Sequence, residues 1–313
     1  MLLLPKRFQQ NIAGAFGTQG KIWLEKFPST LNDYTQRWSL ELLPHFGPLS
    51  YNFVAPVIRQ DGSDAVLKLG VPNPELTSEI LALWVYDGHG AVRLLKADPE
   101  GGAMLLEHVN PGTPLAEIDD DAKNTEIAAQ VMLQLWESSL NLESLEDRQG
   151  FRTVEGWAKG IVRLREHYYG GTGPFPEKLV EQAETLFAEL LSSTDLIVVL
   201  HGDLHHWNIL RAQRQPWLAL DPKGVVGDPA FEVAAWMHNP IDVIYHWDDL
   251  DKILARRLDQ FSEILGIDRQ RLLGWSLAQS VLSAWWCIED NSDCFDKAIT
   301  TAKVLSRMQG NQR

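Results

Sequence analysis

Cysteine is scarce: the 313 residues contain two, Cys287 and Cys294, and no CxxC. That excludes a disulfide-built scaffold and argues against a structural zinc site. On one helix the two would stand roughly 10 Å apart, at about 1.5 Å rise per residue, too far to bridge. The expectation is two unbridged thiols in a reducing cytoplasm. Positive charge is also short. Lys and Arg number 28 against 42 Asp and Glu, for a formal net charge of -14. Nucleic-acid partners need basic surface, so none is expected. An acidic cleft would attract a cationic small molecule instead. No uninterrupted apolar run approaches the roughly 18 residues of a membrane span, so no membrane partner is expected. The stretch "MLLLPKRF" has no basic region before its apolar run, unlike a signal peptide. Internal repeats and low-complexity tracts are missing as well.

What is present reads as a globular chain long enough for one large or two ordinary domains. The first hundred residues are punctuated by Gly and Pro. "YNFVAPVIRQDGSDAVLKLG" (Tyr51 to Gly70) predicts two strands joined at Asp61-Gly62. "PELTSEILALWVYDG" predicts a helix, with Thr77 or Ser78 as its cap and Gly88 as its stop. "AVRLLKAD" and "AMLLEHV" are further strands. Beyond Pro111 the spacing turns helical, beginning with "NTEIAAQVMLQLWESSL" (Asn124 to Leu140). One β interruption occurs there: "LIVVL", a histidine-rich loop, then "ILRA" and "WLALD" as a hairpin. The fold class is α+β. A β-rich N-terminal lobe with one helix (1–107) precedes a larger helical lobe (108–313), joined by a linker near Glu107 to Thr113.

The loop "HGDLHHWNIL" (His201 to Leu210) carries the chemistry. Asp203 and Asn208 are five apart, and Asp221 lies 13 further on, at the end of an apolar strand. Phosphoryl transfer from a nucleotide needs a carboxylate for the incoming hydroxyl and oxygen ligands for Mg²⁺. These three residues have the right types in the right order. A strand lysine, Lys68 in "AVLKLG", and a helical glutamate, Glu79, supply the remaining pair that such a site needs. Lys68 alone could equally be a surface residue of an edge strand.

With those residues assembled, the chain resembles the aminoglycoside phosphotransferase superfamily, which has a two-lobed protein-kinase-like fold. "HGDLHHWNIL", "WLALDPKGVVGD" and "SAWWCIED" are similar to its streptomycin 6-phosphotransferase and hydroxyurea-resistance kinase branch, over roughly residues 50 to 295. The resemblance implies an ATP- and Mg²⁺-dependent kinase of a small, cationic acceptor. Asp203 then matches the catalytic aspartate, Asn208 and Asp221 the metal ligands, and Lys68 with Glu79 the phosphate-binding pair. Glu107, His108 and Val109 match the segment whose backbone meets adenine. Glu289 and Asp290 match an acidic pair facing the acceptor, with Trp285 and Trp286 beside them. His205 stands where protein kinases keep a phosphate-facing lysine. His201 and Glu232 are expected to hold the loop by hydrogen bonds, and His206 to lie behind it. Two departures stand out. No G-x-G-x-x-G precedes Lys68, and Trp207 replaces a usually small residue.

Two other readings remain. A metal-dependent hydrolase could use His201, Asp203, His205 and His206, although it leaves Lys68, Glu79 and Asp221 unexplained. A nucleotide-binding protein without turnover is the other.

Overall fold

The computed structural model describes residues 4–139 and 150–310. Strands β1 (Leu40–Leu42), β2 (Asn52–Arg59) and β3 (Asp64–Gly70) come first, then helix α2 (Pro74–Tyr86), β4 (Leu94–Asp98) and β5 (Ala103–Glu107). They form one antiparallel sheet in the order β1-β2-β3-β5-β4. The β2–β3 turn is built as expected, with Asp61 Oδ1 accepting from the Ser63 amide at 3.0 Å and Gly62 at φ 79°.

β3 is a central strand, so Lys68 is not on an edge. Strand alternation gives β3 two environments. Ala65, Leu67 and Leu69 join Phe53, Ala55, Val57 and Leu105 in one core, on the face away from the cleft. Val66 and Lys68 lie on the other face and line cavities of the cleft. The outer core is closed by a helix that the Gly and Pro punctuation concealed, α1 (Lys6–Arg37). The N-terminal region therefore holds two helices rather than one. The missed signal was its spacing: buried Phe8 and Ile12, then Trp23, Phe27, Leu31 and Tyr34. Between the two sets Gly17 takes φ 53° and ψ -127°, a conformation that strains any other residue. A Cβ on Gly20 would meet the Ile12 carbonyl oxygen at 2.3 Å. The helix is thus bent sharply into two arms with Gly14–Gly17 at the tip.

The linker forms a strand of its own, β6 (Pro111–Pro114), which pairs with β9 (Ile209–Ala212) of the expected β9–β10 hairpin (β10, Trp217–Ala219). A third small sheet joins β7 (Arg152–Thr153), β8 (Val198–Leu200) and β11 (Val225–Gly227). Helices α3 (Asp121–Ser139), α4 (Val154–His167), α5 (Glu177–Ser192), α6 (Pro229–Met237), α7 (Leu250–Leu265), α8 (Arg269–Glu289) and α9 (Phe295–Gly310) complete the helical part. Leu140, expected to close α3, lies outside the described residues. α8 is buried along most of its length and packs on α4, α5, α6, α7 and α9. Among the described residues, no helix is long and apolar enough to cross a membrane.

Two local expectations are corrected. The cap of α2 is Asn73, whose Oδ1 accepts from the Glu75 and Leu76 amides at 2.8 and 3.1 Å, with Pro74 in the first turn. Thr77 and Ser78 lie inside the helix. Cys287 and Cys294 form a disulfide, with Cα atoms 5.7 Å apart. They do not share a helix, because α8 ends at Glu289 and Asn291 takes φ 51°, reversing the chain before α9.

Candidate active site

Buried β8 delivers the histidine-rich loop. His201 is fully buried; its Nε2 donates to the Leu220 carbonyl at 2.8 Å and its Nδ1 accepts from the Asp203 amide at 3.2 Å. Burial lowers its pKa to about 3, so the ring is a neutral strut. Glu232 on α6 accepts from the His201 and Gly202 amides at 2.5 and 2.9 Å. Burial pushes its carboxyl up to about 7, against those two hydrogen bonds. Both residues hold the loop as anticipated. Asp203 is left with 40% of its side chain exposed, open to a substrate. Asn208 donates through Nδ2 to the Asp203 carbonyl at 3.0 Å, leaving its Oδ1 as a potential ligand atom. His205 Nε2 stands 3.9 Å from Asp203 Oδ1 and 3.3 Å from Asn208 Nδ2. Trp207 is 59% exposed.

Asp221, at the end of the hairpin and at φ 58°, reaches across to β3. Lys68 Nζ is 2.6 Å from Glu79 Oε1 and 3.0 Å from Asp221 Oδ1. Lys68 and Glu79 are buried, while half of the Asp221 side chain is exposed. Burial alone would lower the lysine pKa, but the Asp221 and Glu79 carboxylates outweigh it and raise it. For Asp221, burial works upward and Lys68 outweighs it, holding the carboxyl below its usual range.

Residues outside the expected site set fix this arrangement. Ser78 Oγ donates to the Gly224 carbonyl at 2.5 Å, tying "DPKG" to α2. Gly224 sits at φ 60°, where a Cβ would meet the Ser78 carbonyl oxygen at 2.2 Å, so only glycine fits. Lys223 pairs with Glu75 at 2.6 Å. Lys223 was visible in the quoted motif; Glu75 and Ser78 follow from it only once α2 is seen to pack on the loop.

Two cavities meet at Lys68 and Asp221. One, of about 350 Å³, is walled by Val54, Val66, Val92, Leu106, Leu210 and Leu220, with His108 and Val109 at its edge. Glu107 borders it too, but its carboxylate is engaged by Arg214 at 2.8 and 2.9 Å and by the Arg93 amide. The other, of about 430 Å³, is lined by Glu75, Glu79, Lys223 and Asp290 and by Ala15 and Phe16 from the α1 tip.

The acidic pair at the end of α8 is split. Asp290 lines the charged cavity, and burial followed by Glu289 raises its pKa. Glu289 is held by Arg163 in a two-pronged ion pair at 2.8 and 3.0 Å. Trp285 is buried against His167 and Tyr168, and Trp286 packs edge-on against Trp157. The four residues of the hydrolase reading do not converge either: His206 lies flat on Trp236, 3.8 Å between ring centres. Among the described residues, no three His, Cys, Asp or Glu side chains form a metal-binding group.

The family described as "Aminoglycoside/hydroxyurea antibiotic resistance kinase" matches residues 48–291. The chain is 33% identical over 305 residues to a streptomycin 6-kinase of Streptomyces glaucescens, covering 96% of both proteins. It is 30% identical to a hydroxyurea phosphotransferase of Kitasatospora aureofaciens, over 92% of this chain and 82% of that protein. An aminoglycoside phosphotransferase solved in ternary complex with ADP and hygromycin B superposes with a TM-score of 0.59 at 14% identity, over 91% of this chain and 98% of that one. The chain therefore has the kinase-like fold and belongs to the aminoglycoside/hydroxyurea antibiotic resistance kinase family, as a small-molecule phosphotransferase acting on hydroxyl groups.

Proposed function

We propose that this phosphotransferase moves the γ-phosphoryl group of ATP to a hydroxyl of a cationic aminoglycoside of the streptomycin kind. The observation that carries the reading is Lys68, joined within 3.0 Å both to Glu79 of the sheet region and to Asp221 of the catalytic loop region. A single cation held between those carboxylates is placed to grip nucleotide phosphates. The apolar cavity suits adenine, with the backbone of Glu107, His108 and Val109 at its edge. The division at residue 107 follows: 1–107 cover the nucleotide, and 108–313 carry the loop and acceptor.

In the step itself, the acceptor hydroxyl attacks the γ-phosphorus, the bond to the β-bridging oxygen breaks, and ADP leaves. Asp203 orients the hydroxyl and takes its proton. His205 lies close enough to Asp203 to meet the transferred group. Asn208 Oδ1 and the half-exposed Asp221 carboxylate are hard oxygen donors that fit Mg²⁺. Bound there, Mg²⁺ would supply positive charge to offset the charge that develops on the phosphates. With no Gly-rich loop available, the α1 tip at Ala15 and Phe16 covers the phosphate cavity. Asp290 offers its charge to the acceptor. Glu289 acts through Arg163 by fixing the end of α8. Dependence on ATP keeps the cytoplasm as the proposed compartment.

The test is a mass-spectrometric screen with ATP and Mg²⁺ against streptomycin, other aminoglycosides and hydroxyurea. Phosphorylated streptomycin, lost when Zn²⁺ replaces Mg²⁺ and with a raised acceptor KM in Asp290→Asn, supports the reading. Zinc-dependent hydrolysis without ATP, or no phosphorylated product from any of them, contradicts it.

A further inference from the structure

A third cavity, of about 520 Å³, borders the catalytic loop at His206. Its lining shares no residue with the charged cavity at Lys68. The turn between β6 and α3 gives it four carboxylates, Glu117, Asp119, Asp120 and Asp121, against one lining arginine, Arg256. Two of the four are already engaged. Asp121 accepts from both Arg256 and Arg257, and Asp120 caps α3 through the Lys123 amide at 3.0 Å. Among the described residues, the carboxylates of Glu117 and Asp119 have no partner.

An acidic rim alone would be a solvated surface. The cavity also contains buried polar atoms that nothing satisfies. His206 lines it at 2% exposure, and neither ring nitrogen has a hydrogen-bond partner. Asn124 lines it at 4% exposure; its Nδ2 donates to the Ile118 carbonyl at 2.9 Å, while its Oδ1 is unpartnered. Orphaned groups of this kind are uncommon in buried positions. A neutral imidazole offers one acceptor nitrogen beside one N–H donor. The unfilled set is therefore two carboxylates, an amide oxygen and an imidazole with one acceptor nitrogen and one N–H, so acceptors predominate. Val243, 43% exposed, and Trp247 supply apolar wall beside them. That combination matches a donor-rich cation with a carbon frame.

The cavity is tied to the chemistry by the chain itself. His206 is three residues beyond Asp203, and its carbonyl accepts from the Ala116 amide at 3.1 Å, fixing the acidic turn to the catalytic loop. We propose that this cavity is a second cation-recognition site, which holds a guanidinium or ammonium substituent of the acceptor remote from the hydroxyl being phosphorylated. The acceptor's identity as substrate rests on the phosphotransferase reading above; the site's preference for a donor-rich cation does not.

Methylguanidinium is the probe for the site itself. Titrated into isotope-labelled protein, it should give saturable NMR shifts at the Asn124 side-chain amide and the His206 ring. Removing two exposed carboxylate partners should weaken that binding by about tenfold in the double variant Glu117→Gln, Asp119→Asn. His206→Phe, which keeps the stack on Trp236, should weaken it too, and Asp290→Asn should leave it unchanged. With streptomycin as acceptor, the double variant should raise the acceptor KM by about tenfold, with kcat and the KM for ATP unaltered. Absence of saturable shifts in the wild type, or equal binding by the double variant, overturns the proposal. Failure to phosphorylate streptomycin sinks the proposed substrate instead and leaves the binding measurement to decide the site.

Discussion

The cavity bounded by Val54, Val66, Leu106, Leu210 and Leu220 is apolar, whereas its neighbour is lined by Glu75, Glu79, Lys223 and Asp290. Lys68 and Asp221 belong to both. On the proposed reading, the difference divides the work that a nucleotide demands. A flat heterocycle gains from leaving water between branched side chains. Phosphates need fixed charge in a place where screening is weak. Putting Lys68 at the boundary lets one strand serve both, because alternate residues of β3 face opposite sides and the outer face is closed by α1.

Removing the boundary charge should have the largest effect on this division. Lys68→Met leaves Glu79 buried without its partner. Breaking a buried pair in this way costs about 3–5 kcal/mol, to be seen in denaturant unfolding, along with loss of nucleotide affinity. Retention of both would mean that the two cavities do not depend on Lys68. Filling only the apolar side should be milder. Val66→Phe overpacks that cavity by about 1–3 kcal/mol, which predicts weaker ADP binding by calorimetry with acceptor affinity retained. The α1 tip should matter to the charged side alone. Gly17→Ala strains the bend by about 1–3 kcal/mol, so the KM for ATP should rise several-fold with kcat nearly constant.

The smallest effect concerns Glu232. Its folded pKa of about 7 lies above the ordinary 4.5. It therefore binds its proton more tightly folded than unfolded. Its contribution to stability is fully present below pH 4.5 and is lost as the pH rises through 7. Thermal melts between pH 4.5 and 8 should show this loss in the wild type, and a Glu232→Gln variant should show less of it.

The charged side of the cleft was more legible than its cover. Asp203, Asn208 and Asp221 could be read because their types and spacing are tied to a short loop and hairpin, and Lys68 because a lysine in an apolar strand needs a partner. The helix α1 was not read. Gly14, Gly17, Gly20 and Pro28 break the helical pattern locally, and only packing of Phe8, Trp23 and Phe27 on the sheet restores it. Cys287 and Cys294 were misjudged for a related reason. A continuous helix would keep the two apart, whereas the turn at Asn291 brings them together. The different surroundings of Glu289 and Asp290 depend on Arg163, which comes from a helix far away in sequence and leaves no mark near "WWCIED".

The central claim is that Asp203 performs the proton and positioning work of phosphoryl transfer while the Lys68 cavities hold the nucleotide. Asp203→Asn separates the two most directly, with transfer to streptomycin and ADP affinity measured on the same preparation. The account predicts a fall in kcat of about 10²-fold or more, the usual scale for loss of a general base, with ADP affinity near that of the wild type. Wild-type turnover in the purified variant, or loss of ADP binding to the same extent as loss of activity, would contradict it.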